Sequence, residues 1–255
     1  MTDSSWLERI SAADVQATES TRKVVDTGAF KLLLDPTDDF AGVNWATPQR
    51  ANPTALELEH LIQAFRDHGR GPRLEFIAGC WPGLAGVLER AGFVSEGDAQ
   101  DILLLTPDRF RPYAVPEVRV HTLEDADSDA LFYSYLETQG RGFGYSSDPP
   151  TSEHLSSWKA QVRGGRRAAL AFLDARAVGV GTLLGSELAE LQGVTTVPEA
   201  RRRGVAATLS SHLIQNALEQ GTQAVWLSVE NPVARACYLK LGFRALGSRL
   251  NYRLA

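Results

Sequence analysis

The amino-acid sequence predicts an α/β chain built from two tandem copies of one mixed-sheet fold, residues 1–114 and 115–255. Three observations carry this. The tetrapeptide His60-Leu61-Ile62-Gln63 recurs 152 positions on as His212-Leu213-Ile214-Gln215, and Gly69 matches Gly221 at the same offset. Each copy then continues with an apolar strand pattern and a short helix ending in Gly-Phe, at Gly92-Phe93 and Gly242-Phe243. A matched order of helix, strand, helix and Gly-Phe marks a duplicated unit better than a tetrapeptide alone. Between Thr106 and Val118, three prolines (Pro107, Pro112 and Pro116) break regular structure, which puts the joint there.

In the second copy each element has a local cause. Residues 124–164 hold helical segments. Ala168 to Leu173 and Ala177 to Leu184 read as an antiparallel pair around the turn-prone Asp174 to Arg176. Glu187 to Val197 reads as a central strand, and Ala224 to Val229, apolar save Ser228, as a buried one. Between these two, Val205, Leu209, Leu213 and Ala217 recur at four-residue steps, the pattern of an amphipathic helix, and Gly221 supplies its stop. Asn231 suits an N-cap, Pro232 the first helical position, and Gly242 the position past the end, so a short helix follows.

Two of these helix starts carry chemistry. Arg201-Arg202-Arg203-Gly204-Val205-Ala206 runs from a strand into a helix, where unpaired backbone N–H groups and the helix dipole favour an anion. Gly204 lets the backbone turn and approach a ligand, and the arginines add forked donors suited to phosphate oxygens. A solvated basic turn would read the same in isolation. The second helix adds the missing context, because Asn231 and Tyr238 lie close to two turns apart on one face, with the small Ala234 between them.

Arg201, Gly204 and Ala206, followed by Asn231, Tyr238, Gly242 and Phe243, resemble the paired motifs of the GCN5-related N-acetyltransferase (GNAT) superfamily over roughly residues 116 to 255. The resemblance implies a V-shaped, splayed mixed sheet flanked by helices, with acetyl-CoA lying in the splay. It also implies that Val194, Thr195 and Thr196 hold the pantetheine arm and that Arg141 to Pro150 is part of a variable acceptor-binding region. Arg201, Arg202, Arg203, Gly204, Val205, Ala206 and Asn231 complete the cofactor-binding set, and Tyr238 becomes the general acid toward sulfur. Gly193 permits a strand bulge that frees backbone N–H groups to polarise the thioester carbonyl. Glu190, eleven positions before Arg201, matches the catalytic glutamate of histone-type members, and strand alternation gives it the parity of Val194 and Thr196. Partial desolvation among Leu188, Ala189 and Leu191 would raise its pKa toward that of a useful base, although a strand-edge carboxylate in solvent reads equally well. Glu230 is a weaker candidate. The expected activity is transfer of an acetyl group to the primary amine of a small molecule or peptide; the alternative is an acyl-CoA-binding protein without turnover.

The first copy departs from this pattern where chemistry would sit. Arg201, Gly204 and Val205 fall on Gln49, Asn52 and Pro53, and Tyr238 and Asn231 on Leu88 and Trp81. Proline offers a phosphate no N–H, so residues 1–114 read as a degenerate, structural copy. Residues 1–115 hold 11 basic against 17 acidic side chains, and residues 116–255 hold 15 against 14. An anionic cofactor therefore belongs to the second copy. The overall charge of −5 argues against a nucleic-acid surface. The polar, acidic start and the lack of a long apolar run predict a cytoplasmic protein without a membrane partner, monomeric or homodimeric. Cys80 and Cys237 read as reduced packing residues, and no metal-ligand spacing occurs among the five histidines.

Overall fold

The computed structural model describes residues 2–19, 22–36, 38–145 and 149–255. The chain divides into two compact units that do not follow a single cut. Residues 1–103, 228–230 and 245–255 form the first, and residues 104–227 and 231–244 the second. The division expected at 114/115 differs from these units at both ends: residues 104–114 pack with the second unit, and the last strand of the chain packs with the first.

The first unit contains α1 (Asp3–Glu19), β1 (Lys23–Asp26), β2 (Phe30–Leu34), β3 (Trp45–Pro48), α2 (Ala55–Asp67), β4 (Arg73–Ile77), α3 (Leu84–Arg90) and β5 (Phe93–Ser95). β6 (Gln100–Leu105) leads out of it. β1, β2 and β3 form an antiparallel meander, β3 pairs parallel with β4, and the far side of β4 takes the carboxy-terminal strand antiparallel, with Leu250 opposite Phe76 and Tyr252 opposite Leu74. That strand also pairs with β5. Its core gathers Phe30, Leu32, Leu61, Phe65, Leu74 and Leu88, all fully buried.

The second unit contains β7 (Arg119–Thr122), α4 (Asp129–Phe143), α5 (Ser152–Arg163), β8 (Arg167–Leu173), β9 (Arg176–Leu184), β10 (Leu188–Thr196), α6 (Val205–Glu219), β11 (Ala224–Val229) and α7 (Pro232–Lys240); β12 (Arg244–Leu254) is the strand that belongs to the first unit. The β8–β9 hairpin closes through Asp174 and Ala175, both at positive φ, as a tight two-residue turn of left-handed residues requires. Strand order is β11-β10-β9-β8-β7. β10 is antiparallel to β9 and parallel to β11, but the parallel register covers only 188–190 against 224–226, although both strands run on. Beyond Glu190 the two strands therefore part, which is the splay the resemblance implied.

α6 buries Val205, Leu209, Leu213 and Ala217, the four-residue stripe read from the sequence, against one face of this sheet. α4 covers the other face, where Phe132 and Tyr135 pack with Leu170 and Val180. Helix and sheet approach closely there: a Cβ at Gly142 of α4 would lie 2.5 Å from Thr195 Cγ2. No helix among the described residues is long and apolar enough to cross a membrane.

Candidate active site

The stretch read as a phosphate loop lies at the amino end of α6. Gly204 precedes the helix with φ +77° and caps it with no side chain, so its first amides carry no side-chain acceptor. Arg202 also takes a positive φ, and Arg201, Arg202 and Arg203 are exposed. The arginines divide their work. Arg201 donates from Nε to the carbonyl of Thr196 at 3.1 Å and from Nη2 to the carbonyl of Gly142 at 3.0 Å, fastening the loop to the ends of β10 and α4. Arg202 reaches a groove of about 580 Å³ that is lined by Tyr113, Ala207, Val233, Cys237, Lys240 and Leu241. Space at Gly204 is already occupied by protein: an added Cβ would sit 2.6 Å from Val115 Cγ2 and 3.1 Å from Tyr113 Oη. The bare glycine is thus required by packing as well as by φ.

The central strand bulges where expected. Gln192 pairs with Thr182 and Thr195 with Val180, so Gly193 (φ +62°) and Val194 together oppose the single residue Gly181. One consequence corrects the parity read from the sequence. An extra residue inverts the alternation, so Glu190 shares its face with Gln192 and Thr195 rather than with Val194 and Thr196. Neighbours agree: Thr195 meets Gly142 on the α4 side, whereas Val194 meets the position of Gly181 together with Leu209 of α6. Thr196 is buried, and its Oγ1 has no hydrogen-bond partner.

Glu190 is half-buried and its charge helps to stabilise the Arg166 guanidinium. Burial pulls the Arg166 pKa down, while Tyr135 and Glu190 hold it up, and the guanidinium lies 5.5 Å from the centre of the Trp158 ring. Trp158 in turn packs on Tyr135 with ring centres 4.6 Å apart, and the Tyr135 hydroxyl is buried without a partner. Glu190 therefore has a cationic neighbour that alternation and spacing did not disclose.

Asn231 caps α7 by accepting from the N–H groups of Val233 at 2.8 Å and Ala234 at 3.2 Å. Two turns on, Tyr238 packs edge-on to Phe243. Burial pushes the Tyr238 phenol well above the usual tyrosine value; Cys237 adds to the rise, and the hydroxyl of Ser210 offsets part of it. Ser210 Oγ is itself buried and lies short of hydrogen-bond geometry with any partner. The Cys237 thiol, which faces the groove, is pushed up by the same desolvation and eased by Lys240.

In the stretch read as acceptor-binding, Phe143 and Tyr145 are exposed and stacked 5.5 Å apart; the predicted loop through Pro150 includes residues 146–148, which lie outside the described residues. No group of three or more His, Cys, Asp or Glu able to hold a metal occurs among the described residues.

In the first unit the matching helix start is built differently. Asn52, the counterpart of Gly204, is left-handed with φ +53°, but Thr54 caps α2 in a capping box: its Oγ1 accepts from the Glu57 N–H, and its own N–H donates to the Glu57 carboxylate at 2.7 Å. The N–H of Thr54, and then its hydroxyl, which donates to the same carboxylate at 2.9 Å, hold the Glu57 carboxyl below its usual range. Pro53 precedes it without an N–H.

Residues 129–243 match the family model described as "Acetyltransferase (GNAT) family". No curated relative matches. Among solved structures, a GCN5-related N-acetyltransferase from Kribbella flavida superposes with TM-score 0.78 at 21% identity, covering 97% of this chain and 95% of that one. A tandem GNAT protein from the clavulanic acid biosynthesis pathway gives TM-score 0.62 at 16% identity, over 88% and 77% of the two chains. A GCN5-related N-acetyltransferase from Sphaerobacter thermophilus gives 0.63 at 18%, over 88% and 76%. At these identities the likeness is one of fold. The family match supports, at a general level, acyl transfer from an acyl-CoA to an amine.

Proposed function

We propose that the second unit is an N-acetyltransferase, taking acetyl-CoA as its substrate and passing the acetyl group to a primary amine of a small molecule or peptide. The observation that supports this best is the left-handed, uncapped Gly204 at the start of α6, beside Arg203 and Arg202, the latter lining the 580 Å³ groove along α7. Bare helix amides and two exposed guanidinium groups suit the diphosphate of the coenzyme. The pantetheine arm would lie along the edge of β10 that β11 leaves after Glu190, at Val194, Thr195 and Thr196.

In the reaction, the amine nitrogen attacks the thioester carbonyl, whose developing oxyanion is met by a backbone N–H of the bulge at Gly193 and Val194. As the tetrahedral intermediate collapses, the C–S bond breaks and Tyr238 passes its proton to sulfur. Burial keeps the Tyr238 phenol protonated until the thiolate forms. The proton lost by the amine goes to Glu190, on the α4 face, or to water.

The first unit is assigned no coenzyme. A carboxylate, Glu57, already occupies the helix start where a diphosphate would have to lie, and it would repel one. The chain should therefore take up one coenzyme. Calorimetric titration with CoA, together with thiol release from acetyl-CoA in the presence of a panel of amines, tests the reading: one site per chain, abolished by Gly204→Glu, and amine-dependent release are expected. Retained affinity in Gly204→Glu would discard the cradle. Tight binding without release to any amine would leave a coenzyme-binding protein without turnover.

A further inference from the structure

We propose that Tyr113 contacts the coenzyme, held over the diphosphate cradle by a backbone-anchored strap that lies outside the residues matching the family model. The proposal rests on the reading of the Gly204 loop as the diphosphate site. The strap is residues 109–115, within the second unit. Its alternate amides are each pinned: the N–H of Arg111 donates to the Leu241 carbonyl at 3.0 Å, that of Tyr113 to Ser211 Oγ at 2.9 Å, and that of Val115 to Thr208 Oγ1 at 3.1 Å. Its start is fixed by the carbonyl of Arg109 against Gly242, where an added Cβ would sit 2.0 Å from that oxygen. The strap thus runs from the end of α7 to the first turns of α6, between the two helices that wall the groove.

Pinning alternate amides of an extended segment sends alternate side chains to one side. Tyr113 and Val115 accordingly both reach Gly204, and Tyr113 also lines, with Pro112 and Ala114, a second cavity against His212 and Gln215. The Tyr113 side chain takes no part in this anchoring, which is done by its backbone. It is 47% exposed, and it lines the groove together with Arg202, Ala207 and Lys240. A phenol is both an apolar wall and an O–H donor, and this one stands beside helix amides that no side chain caps. A diphosphate seated on those amides would accept from Tyr113 Oη, and the ring would bound the path of the chain leaving it.

The test is calorimetric titration of CoA into wild type, Tyr113→Phe, Tyr113→Ala, Ser211→Ala and the double variant Ser211→Ala/Tyr113→Ala. Tyr113→Phe keeps the wall and the fold and removes only the donor; it should raise the Kd roughly tenfold, the low end for a hydrogen bond to a charged group. Tyr113→Ala should raise it further. Ser211→Ala frees the strap amide and should weaken binding by a few-fold in wild type but not in the Tyr113→Ala background, because the anchor acts only through that side chain. Wild-type affinity in Tyr113→Phe and Tyr113→Ala would overturn the assignment while leaving the cradle intact, and tighter binding would make Tyr113 a plug and overturn it as well. Failure of wild type itself to bind CoA would instead remove the cradle on which both readings stand.

Discussion

Replacing Gly204 by Ala tests the packing of the phosphate loop against a control on the same helix. Gly204 and Gly221 stand at the two ends of α6, and both have positive φ, +77° and +94°. An L residue in this conformation costs about 1–2 kcal/mol, and that cost is common to both sites. Their surroundings differ. A Cβ at Gly221 meets nothing within 4 Å, whereas one at Gly204 meets Val115 Cγ2 at 2.6 Å and Tyr113 Oη at 3.1 Å. Overpacking of that kind adds about 1–3 kcal/mol. With roughly 2–4 °C of Tm per kcal/mol for a chain of this size, Gly221→Ala should lower Tm by about 2–8 °C. Gly204→Ala should lower it by a further ~2–12 °C on the same scale. Thermal unfolding followed by circular dichroism reads both. In a Val115→Ala background the excess at Gly204 should shrink, since the closest clash is gone. If Gly204→Ala is no more destabilising than Gly221→Ala, the strap does not pack on the loop as described, and the argument for Tyr113 loses its geometry.

Tyr238→Phe should slow thiol release by about a hundredfold or more, the range for loss of a general acid, with CoA affinity unchanged in titration; undiminished turnover would remove the phenol from that role. Glu190→Gln should lower kcat/KM and flatten the acidic limb of its pH profile, whereas a profile of unchanged shape would leave the amine proton to water. His212 Nε2 lies 2.9 Å from Thr122 Oγ1 and 3.1 Å from Asn216 Nδ2. Burial, with a smaller push from His121, lowers its pKa below the usual 6.5. The unfolded chain then binds the proton more readily, so the contribution of His212 to stability is full above pH 6.5 and fades as pH falls through the lowered value. Tm should drop between pH 7 and pH 5, and His212→Gln should make that drop smaller; an equal drop in the variant would assign the acid sensitivity elsewhere.

Local signals that decide secondary structure were readable wherever one residue type had one physical use. Asn231, Pro232 and Gly242 bracket α7 as capping chemistry requires, and the stripe from Val205 to Ala217 is the buried face of α6. Asn52, 152 positions before Gly204, is also left-handed. The unit boundary was not readable in this way. Prolines between Thr106 and Val118 do stop regular structure, but a strand's partner is chosen by tertiary pairing, and nothing in Arg244 to Leu254 says that Leu250 will lie opposite Phe76.

The site divides along the same line. Motif spacing locates Gly204 and Tyr238 because a helix start and a two-turn interval are local quantities. Glu190 was found by spacing and given the wrong neighbours by alternation, since Gly193 supplied the bulge and the bulge reverses every side chain on one side of it. Period two does not carry across a residue that breaks the ladder. Arg201 shows the converse: a guanidinium in a phosphate motif has five donors, and here at least two of them serve the carbonyls of Thr196 and Gly142. A basic triplet therefore overstates the donors offered to a ligand. Arg202, left-handed and at the groove, should carry more of the coenzyme affinity than Arg201, whose loss should instead loosen the join between β10, α4 and the loop.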